Sequence, residues 1–312
     1  MVRGLVTKST GSSYIVRMDD GTSAECRIKG NFRIRGIRST NPVAVGDYVT
    51  VEDNWITDVE DRRNYIIRKS TNLSKESHIL AANIDQVALI VTVNHPVTST
   101  VFIDRFLATC EAYRVPAILI FNKIDLLTED ELVQLADLRA LYESIGYKTE
   151  AICAKELSPI TNNLSSLFEG KTTLLSGNSG VGKSTLLNAL FGQELTRTGK
   201  ISDAHDKGMH TTTFSEMYFL EEANSQEPIA NSRIIDTPGI KGFGTIDFEK
   251  EEVSHYFRDI FKVGRDCRFG NCTHTNEPGC AVQEALIKGN VAISRYESYL
   301  SLLGDCTESK YR

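Results

Sequence analysis

Gly177-Asn178-Ser179-Gly180-Val181-Gly182-Lys183-Ser184 matches the phosphate-cradling pattern G-x-x-x-x-G-K-[S/T] at every fixed position. Thr172 to Ser176, just before it, predicts a short buried strand, and Ser184 to Leu190, just after it, the start of a helix. Strand, loop and helix in that order are the setting the pattern needs, and an accidental glycine-rich turn would lack them. Glycines at 177, 180 and 182 let the backbone wrap closely around phosphate oxygens, so that successive N–H groups and the helix N-terminus face the negative charge. Lys183 is expected to reach the β and γ phosphates of a nucleoside triphosphate and the Ser184 hydroxyl to bind Mg²⁺. Asn178, Ser179, Val181 and Thr185 complete the stretch expected to touch the nucleotide.

Upstream, Val87 to Val93 and Ala117 to Phe121 are apolar runs of strand length, with a helical segment from Phe102 to Tyr113 between them. The second run leads into Asn122-Lys123-Ile124-Asp125. In P-loop GTPases N-K-x-D follows a strand in this way, and its Asp accepts hydrogen bonds from guanine N1–H and the 2-amino group. Adenine offers neither donor and would leave the carboxylate unpaired. Asp125 therefore argues for GTP, with Lys123 against the base and Asn122 bracing the loop. Downstream, Cys153-Ala154-Lys155 resembles the [S/C]-A-K loop that touches guanine from the other side; a small buried thiol is an equally compatible reading of Cys153. An ordinary GTPase places its phosphate loop before N-K-x-D, and here the order is reversed. The expected fold for residues 70–245 is a circularly permuted α/β P-loop domain.

After the phosphate loop, the polar stretch from Thr196 to Gly208 leads into Met209-His210-Thr211-Thr212-Thr213. It is the expected first switch, ordered by γ phosphate and Mg²⁺, with Thr212 as the Mg²⁺ ligand; without the neighbouring motifs it would read as a Thr-rich surface loop. Arg233 to Gly239 then reads as a strand ending in D-x-x-G, with Asp236 holding the Mg²⁺ shell and the Gly239 amide sensing the γ phosphate. Ras-type enzymes carry next the Gln that orients the attacking water, and this chain carries Ile240. Hydrolysis must be slow, use another group or depend on a partner. His210 is the candidate for positioning water, against a structural role for the same ring; His78, His95, His205 and His255 read as ordinary polar residues.

At 312 residues the chain is long enough for two or three domains, and its composition is that of an ordinary globular protein. No apolar run approaches the roughly 20 residues of a membrane span, and the first residues lack a signal-peptide core; the expectation is a cytoplasmic monomer. Net charge is −6, yet residues 1–69 carry 12 Lys+Arg against 9 Asp+Glu, so the basic excess is local. Short alternating runs around Tyr14 and Tyr48, separated by turn signals, predict a small antiparallel OB-type barrel over those 69 residues. No acidic residue lies between Glu25 and Asp47, where Arg27, Lys29, Phe32, Arg33, Arg35 and Arg38 fall. Cations with an aromatic among them suit single-stranded or loop RNA; a solvated basic loop is the plainer alternative.

Residues 246–312 are expected to form a small helical domain. Val253, Tyr256, Phe257, Ile260 and Phe261 recur at helical spacing, and Val291, Tyr296, Tyr299, Leu300 and Leu303 mark the apolar side of a last helix. Between them stand Cys267, Cys272, His274 and Cys280, three thiolates and an imidazole that can close a tetrahedral shell around one structural Zn²⁺; free thiols or a disulfide are the other readings.

A barrel, N-K-x-D ahead of G-x-S-G-V-G-K-S, H-T-T-T and C-x₄-C-x-H-x₅-C together resemble the bacterial ribosome small-subunit-dependent GTPase A family, also called the YjeQ family, over nearly the whole chain. The resemblance implies GTP hydrolysis stimulated by the small ribosomal subunit, binding to its rRNA near the decoding region, and a late checkpoint role in maturation of that subunit. It carries nucleotide-binding roles to Asn122, Lys123, Asp125 and Gly177 through Thr185, and zinc ligation to the three cysteines and His274. Cys153 departs from the Ser of many GTPases, a mild change. Two other readings stand beside it: a GTP-regulated switch that acts on a protein partner through its zinc domain, and a zinc-dependent nucleic-acid binder with a decayed GTPase, which the intact Lys183, Ser184, Asp236 and Asp125 oppose.

Overall fold

The computed structural model describes residues 1–28, 42–69, 77–157, 162–192, 194–195, 215–220, 232–237 and 248–308. Five strands open the chain: β1 (Val2–Ser9), β2 (Tyr14–Met18), β3 (Ser23–Ile28), β4 (Tyr48–Glu52) and β5 (Trp55–Val59). Alternation along them turns Val6, Tyr14, Val16, Cys26, Val49 and Ile56 inward to one apolar core. Their order, β1-β2-β3-β5-β4, closes through a β1–β4 pairing into an OB-type barrel. One pairing, β3 with β5, is parallel and not antiparallel as the alternating runs suggested. β4 is taken up at the closing seam against β1, so the chain returns beside β3 in the same direction. Asp53 and Asn54, both at positive φ, make the two-residue turn from β4 to β5. Buried Asp47 fixes the exit from the barrel by accepting two bonds from the Arg62 guanidinium, at 2.7 and 2.6 Å. A two-stranded hairpin follows, β6 (Tyr65–Lys69) against β7 (Ser77–Ala82).

The central sheet is built from β8 (Gln86–Val91), β9 (Ala117–Phe121), β10 (Lys148–Ala151), β11 (Thr172–Ser176), β12 (Ser215–Phe219) and β13 (Arg233–Asp236). Its order is β10-β9-β8-β11-β13-β12, parallel except for β12. β8, β9 and β11 are buried along their whole length, which is why β9, and β8 from Val87 on, read as apolar runs. α1 (Thr100–Ala112) and α2 (Glu129–Ser144) cover one face through Phe106, Leu107 and Tyr142. α3 (Asn162–Phe168) and α4 (Lys183–Phe191) cover the other through Leu164, Phe168, Leu186 and Leu187. Ser99 caps α1, and Thr128 with Glu131 forms a capping box on α2. The sheet does not stop at β12: that strand pairs with β1 of the barrel, Lys8 opposite Glu216, so eleven strands are hydrogen-bonded in one run.

The C-terminal module comprises a 3₁₀ segment over residues 250–256, then α5 (Arg258–Gly264), α6 (Ala281–Ile287) and α7 (Ile293–Glu308). The apolar stripe expected from Val253 to Phe261 is broken at Phe257, whose extended backbone separates 3₁₀ from α-helix. Val253, Phe257 and Ile260 face the core, and Phe261 is left exposed. Leu300, expected on the apolar side of α7, is also exposed, while Tyr299, Leu302 and Leu303 are buried. The helix phase is set instead by Arg295, which is 1% exposed and binds Asp104 of α1 at 2.6 Å and Asp259 of α5 at 2.8 Å. Among the described residues, no helix is long and apolar enough to cross a membrane.

Candidate functional site

Because β10, β9, β8, β11 and β13 are parallel, their C-terminal ends share one edge, and ligands of open α/β sheets bind in the crevice outside that edge. The loop after each strand delivers part of the site. Gly177 to Gly182 connects β11 to α4, with Gly182 at φ 99° as the residue before the first helical turn. A Cβ on Gly177 would run into the Ile90 carbonyl oxygen, and one on Gly182 into the Asn122 amide nitrogen. Those two positions require glycine because neighbouring strands press on the loop.

Asn122, at the end of β9, is 3% exposed and joins three loops. Its Nδ2 donates to Val181 O of the phosphate loop at 2.8 Å, and its Oδ1 accepts from Ala154 N at 2.9 Å. The N-K-x-D turn, the Cys153-Ala154-Lys155 loop and the phosphate loop therefore hold fixed positions relative to one another. Asp125 sits exposed in the 3₁₀ turn after Lys123. Burial, and then a hydrogen bond to the Asp125 carboxylate, push the Cys153 thiol up, so it stays protonated beside that carboxylate. Lys123 adopts a left-handed backbone and donates from Nζ to the His95 carbonyl. Burial, and then Lys155, lower its pKa.

Lys183 is 8% exposed, and its Nζ donates to Gly177 O and Asn178 O, both at 2.8 Å. Burial pulls its ammonium down to about 8, with the nearby Asp236 charge opposing the fall. Asp236 is buried at the end of β13, opposite Leu175 in register, and the next residue, Thr237, donates to Leu175 O at 3.1 Å. Ser184 and Thr185 lie in the first turn of α4. His210, Thr212 and Gly239 fall outside the described residues, as do Lys29, Phe32, Arg33, Arg35 and Arg38; Arg27 is exposed on β3.

The loop after β8 belongs to the same site, although no motif marks it. Thr92 and Thr98 clamp it by backbone and hydroxyl bonds, Asn94 donates to Glu131 at 2.6 Å, and Pro96 packs beside Gly180. His95, an ordinary polar residue by sequence, contributes its carbonyl to Lys123.

In the C-terminal module the donor atoms of Cys267, Cys272, His274 and Cys280 all lie within 4.8 Å of one another. Cys267 Sγ and Cys280 Sγ are 3.9 Å apart, and His274 turns its Nδ1 to them at 3.5 and 3.6 Å. A tetrahedron with Zn–S near 2.3 Å has edges of about 3.8 Å, so the set fits a metal ion. Tyr296 OH and Gln283 Nε2 fix the His274 carbonyl, each at 2.7 Å, and Tyr299 OH fixes that of Thr273.

A barrel, a P-loop domain whose base-reading turn precedes its phosphate loop, and a Cys₃His cluster define a circularly permuted GTPase. Residues 3–58 match the RsgA N-terminal domain and residues 59–246 the RsgA GTPase family. The chain belongs to the RsgA GTPase family, whose members are GTP hydrolases. It is 58% identical to Small ribosomal subunit biogenesis GTPase RsgA 2 of Bacteroides thetaiotaomicron, over 100% of this chain and 99% of that one. It is 57% identical, with the same coverage, to Small ribosomal subunit biogenesis GTPase RsgA of Phocaeicola vulgatus. The crystal structure of YjeQ from Thermotoga maritima superposes with TM-score 0.72 at 30% identity, covering 98% of each chain. YloQ, described as a circularly permuted GTPase, gives 0.71 at 26%, covering 100% of this chain and 97% of its own.

Proposed function

We propose that this GTP hydrolase acts in biogenesis of the small ribosomal subunit as a cytoplasmic monomer, with its barrel and C-terminal module gripping small-subunit rRNA. The observation that carries the nucleotide half is the Asn122 amide, which ties a guanine-selecting turn to a phosphate loop across the sheet. Full-length identity to small-subunit biogenesis GTPases supports the other half.

In this reading Asp125 accepts from guanine N1–H and the 2-amino group, Lys123 lies along the base, and Cys153, Ala154 and Lys155 close its far side. Amides of the loop from Gly177 to Thr185 bind the phosphates, and Lys183 exchanges its two carbonyl partners for phosphate oxygens. Ser184, Asp236 and Thr212 hold Mg²⁺, which when bound neutralises charge on the β and γ phosphate oxygens. The Gly239 amide senses the γ phosphate and His210 positions the attacking water. Cys267, Cys272, His274 and Cys280 hold one Zn²⁺ with no open position, a structural role. GTP orders both switches and fixes the flanking modules for binding, and hydrolysis, stimulated by the subunit, releases the protein.

Co-sedimentation tests this. With a non-hydrolysable GTP analogue the protein should pellet with small subunits and not with large ones, less with GDP, and retention should fall steeply with salt as phosphate contacts are screened. Equal retention by both subunits, or binding indifferent to salt, would favour a switch acting on a protein partner through the zinc module.

A further inference from the structure

A groove of about 320 Å³ opens on the N-terminal barrel. Gly11 and Ser12 from the β1–β2 turn, Tyr14 of β2, Arg27 of β3, Pro42, and Trp55 at the start of β5 line it. Among the described residues, none that lines it is a carboxylate. The groove thus uses strands 2 and 3 with the loops that precede strands 2 and 5, the face with which OB barrels take oligonucleotides.

Trp55 is the chain's single tryptophan and is 40% exposed. Alternation explains its direction: Ile56 fills the barrel core, so Trp55 must face out. The barrel core closes without it, so the indole is free to present its face to a ligand. Trp55 pairs in register with Arg27, which is itself exposed, so an aromatic face and a guanidinium stand side by side on adjacent strands. Ile28 and Pro42, both lining the groove, flank the part of the sequence that carries Lys29, Arg33, Arg35 and Arg38 and no acid. The charge favours an anion, and the π-face favours a flat ring over a peptide side chain.

We infer that this groove takes one unpaired RNA nucleotide, its base stacked on Trp55 and its phosphate at Arg27. The volume, near the lower end of small-ligand pockets at about 300–1,000 Å³, suits one nucleotide. Paired bases in an A-form duplex cannot enter it, because their faces are stacked. The inference rests on the RNA-binding part of the proposed function and carries it to particular side chains.

Fluorescence excited at the red edge of the indole band, where tyrosine does not absorb, reports on Trp55 alone, the chain's single tryptophan. A six-residue single-stranded oligoadenylate should quench it saturably, while a duplex of equal length should not. Trp55→Ala should weaken binding to small subunits about five- to hundredfold, Trp55→Phe should recover most of that, and Arg27→Gln should lower the salt slope by about one. Thermal unfolding of Trp55→Phe that matches the parent excludes a folding defect. No quenching by the single strand, equal quenching by the duplex, or parent-like subunit binding by Trp55→Ala would overturn the groove while salt-sensitive subunit binding still upheld the RNA reading. Failure of the parent to bind subunits at all would remove that reading itself. Quenching only by RNA-free ribosomal protein would give the groove to a protein partner.

Discussion

Asn122 is one planar amide serving two loops, and its replacement separates their effects. Asn122→Ala removes both bonds and leaves Val181 O and Ala154 N–H buried without their partner. We expect a loss of about 2–4 kcal/mol in unfolding free energy and at least a tenfold weaker GDP affinity, read by denaturant titration and calorimetry. Asn122→Asp keeps the acceptor for Ala154 N and loses the donor to Val181 O, so it should fall between. Lys183 sets a pH dependence. Its folded pKa lies near 8 because burial disfavours the ammonium, and bound phosphates raise it, so binding takes up a proton above that pH. GDP affinity should be level from pH 7 to about 8 and then fall as pH rises, by at most about tenfold per unit. Affinity that stayed level to pH 9.5 would contradict the assignment. Asp125 and the phosphate loop could be read from sequence because their partners in the motif are their neighbours in the chain. His95 could not, since it acts through its carbonyl, which every residue type possesses. Trp55 is equally silent: alternation puts it and Ile56 on opposite faces of β5, and only the fold shows that Ile56 is the one inside.

At the level of elements, the C-terminal module is fastened to the GTPase domain by charge as well as by apolar contact. Arg295 of α7 reaches α1 and α5 through Asp104 and Asp259, and Tyr142 of α2 donates to the same Asp104 at 2.9 Å. Arg258 of α5 adds Glu111 at 2.7 Å and stacks over Tyr147 at 4.2 Å. Arg295→Ala would leave carboxylates packed without their counter-charge, at a cost of about 3–5 kcal/mol, read as a lower denaturant midpoint. By contrast, the half-buried surface pair Lys8–Glu216 contributes about 1 kcal/mol, so Lys8→Ala should move the midpoint far less. On the proposed zinc ligation, Cys272→Ser should lower the metal content of the purified chain and loosen the module, seen as faster hydrogen exchange in α6 and α7. Metal content unchanged in that variant would remove Cys272 from the shell. The Cys₃His cluster is legible because its members, Cys267 to Cys280, fall within fourteen residues. The phase of α7 was not, because a buried arginine paired with residues 36 and 191 positions away overrides the apolar pattern.

At the scale of the whole molecule, the permutation decides what the nucleotide site can pull on. Motif order alone reveals it: N-K-x-D at 122–125 stands ahead of the phosphate-loop pattern at 177–184. Its consequence lies in pairings far apart in sequence. β12, which follows the expected first switch, hydrogen-bonds to β1, and Arg17 of the barrel stacks over Phe219 at 4.2 Å. β13 ends at Asp236, and the chain reaches the C-terminal module at Phe248. Strand register across 208 residues leaves no local signature, so the join between barrel and GTPase sheet appears only in the fold. The barrel and the C-terminal module, proposed above to grip RNA, thus adjoin β12 and β13, the strands next to the proposed switches. The most direct test is GTP turnover by the purified chain alone, with small subunits, and with large subunits, repeated for Asp125→Asn. Strong stimulation by the small subunit only, with guanine preference lost in the variant, is the predicted result; turnover indifferent to either subunit would contradict the ribosomal role.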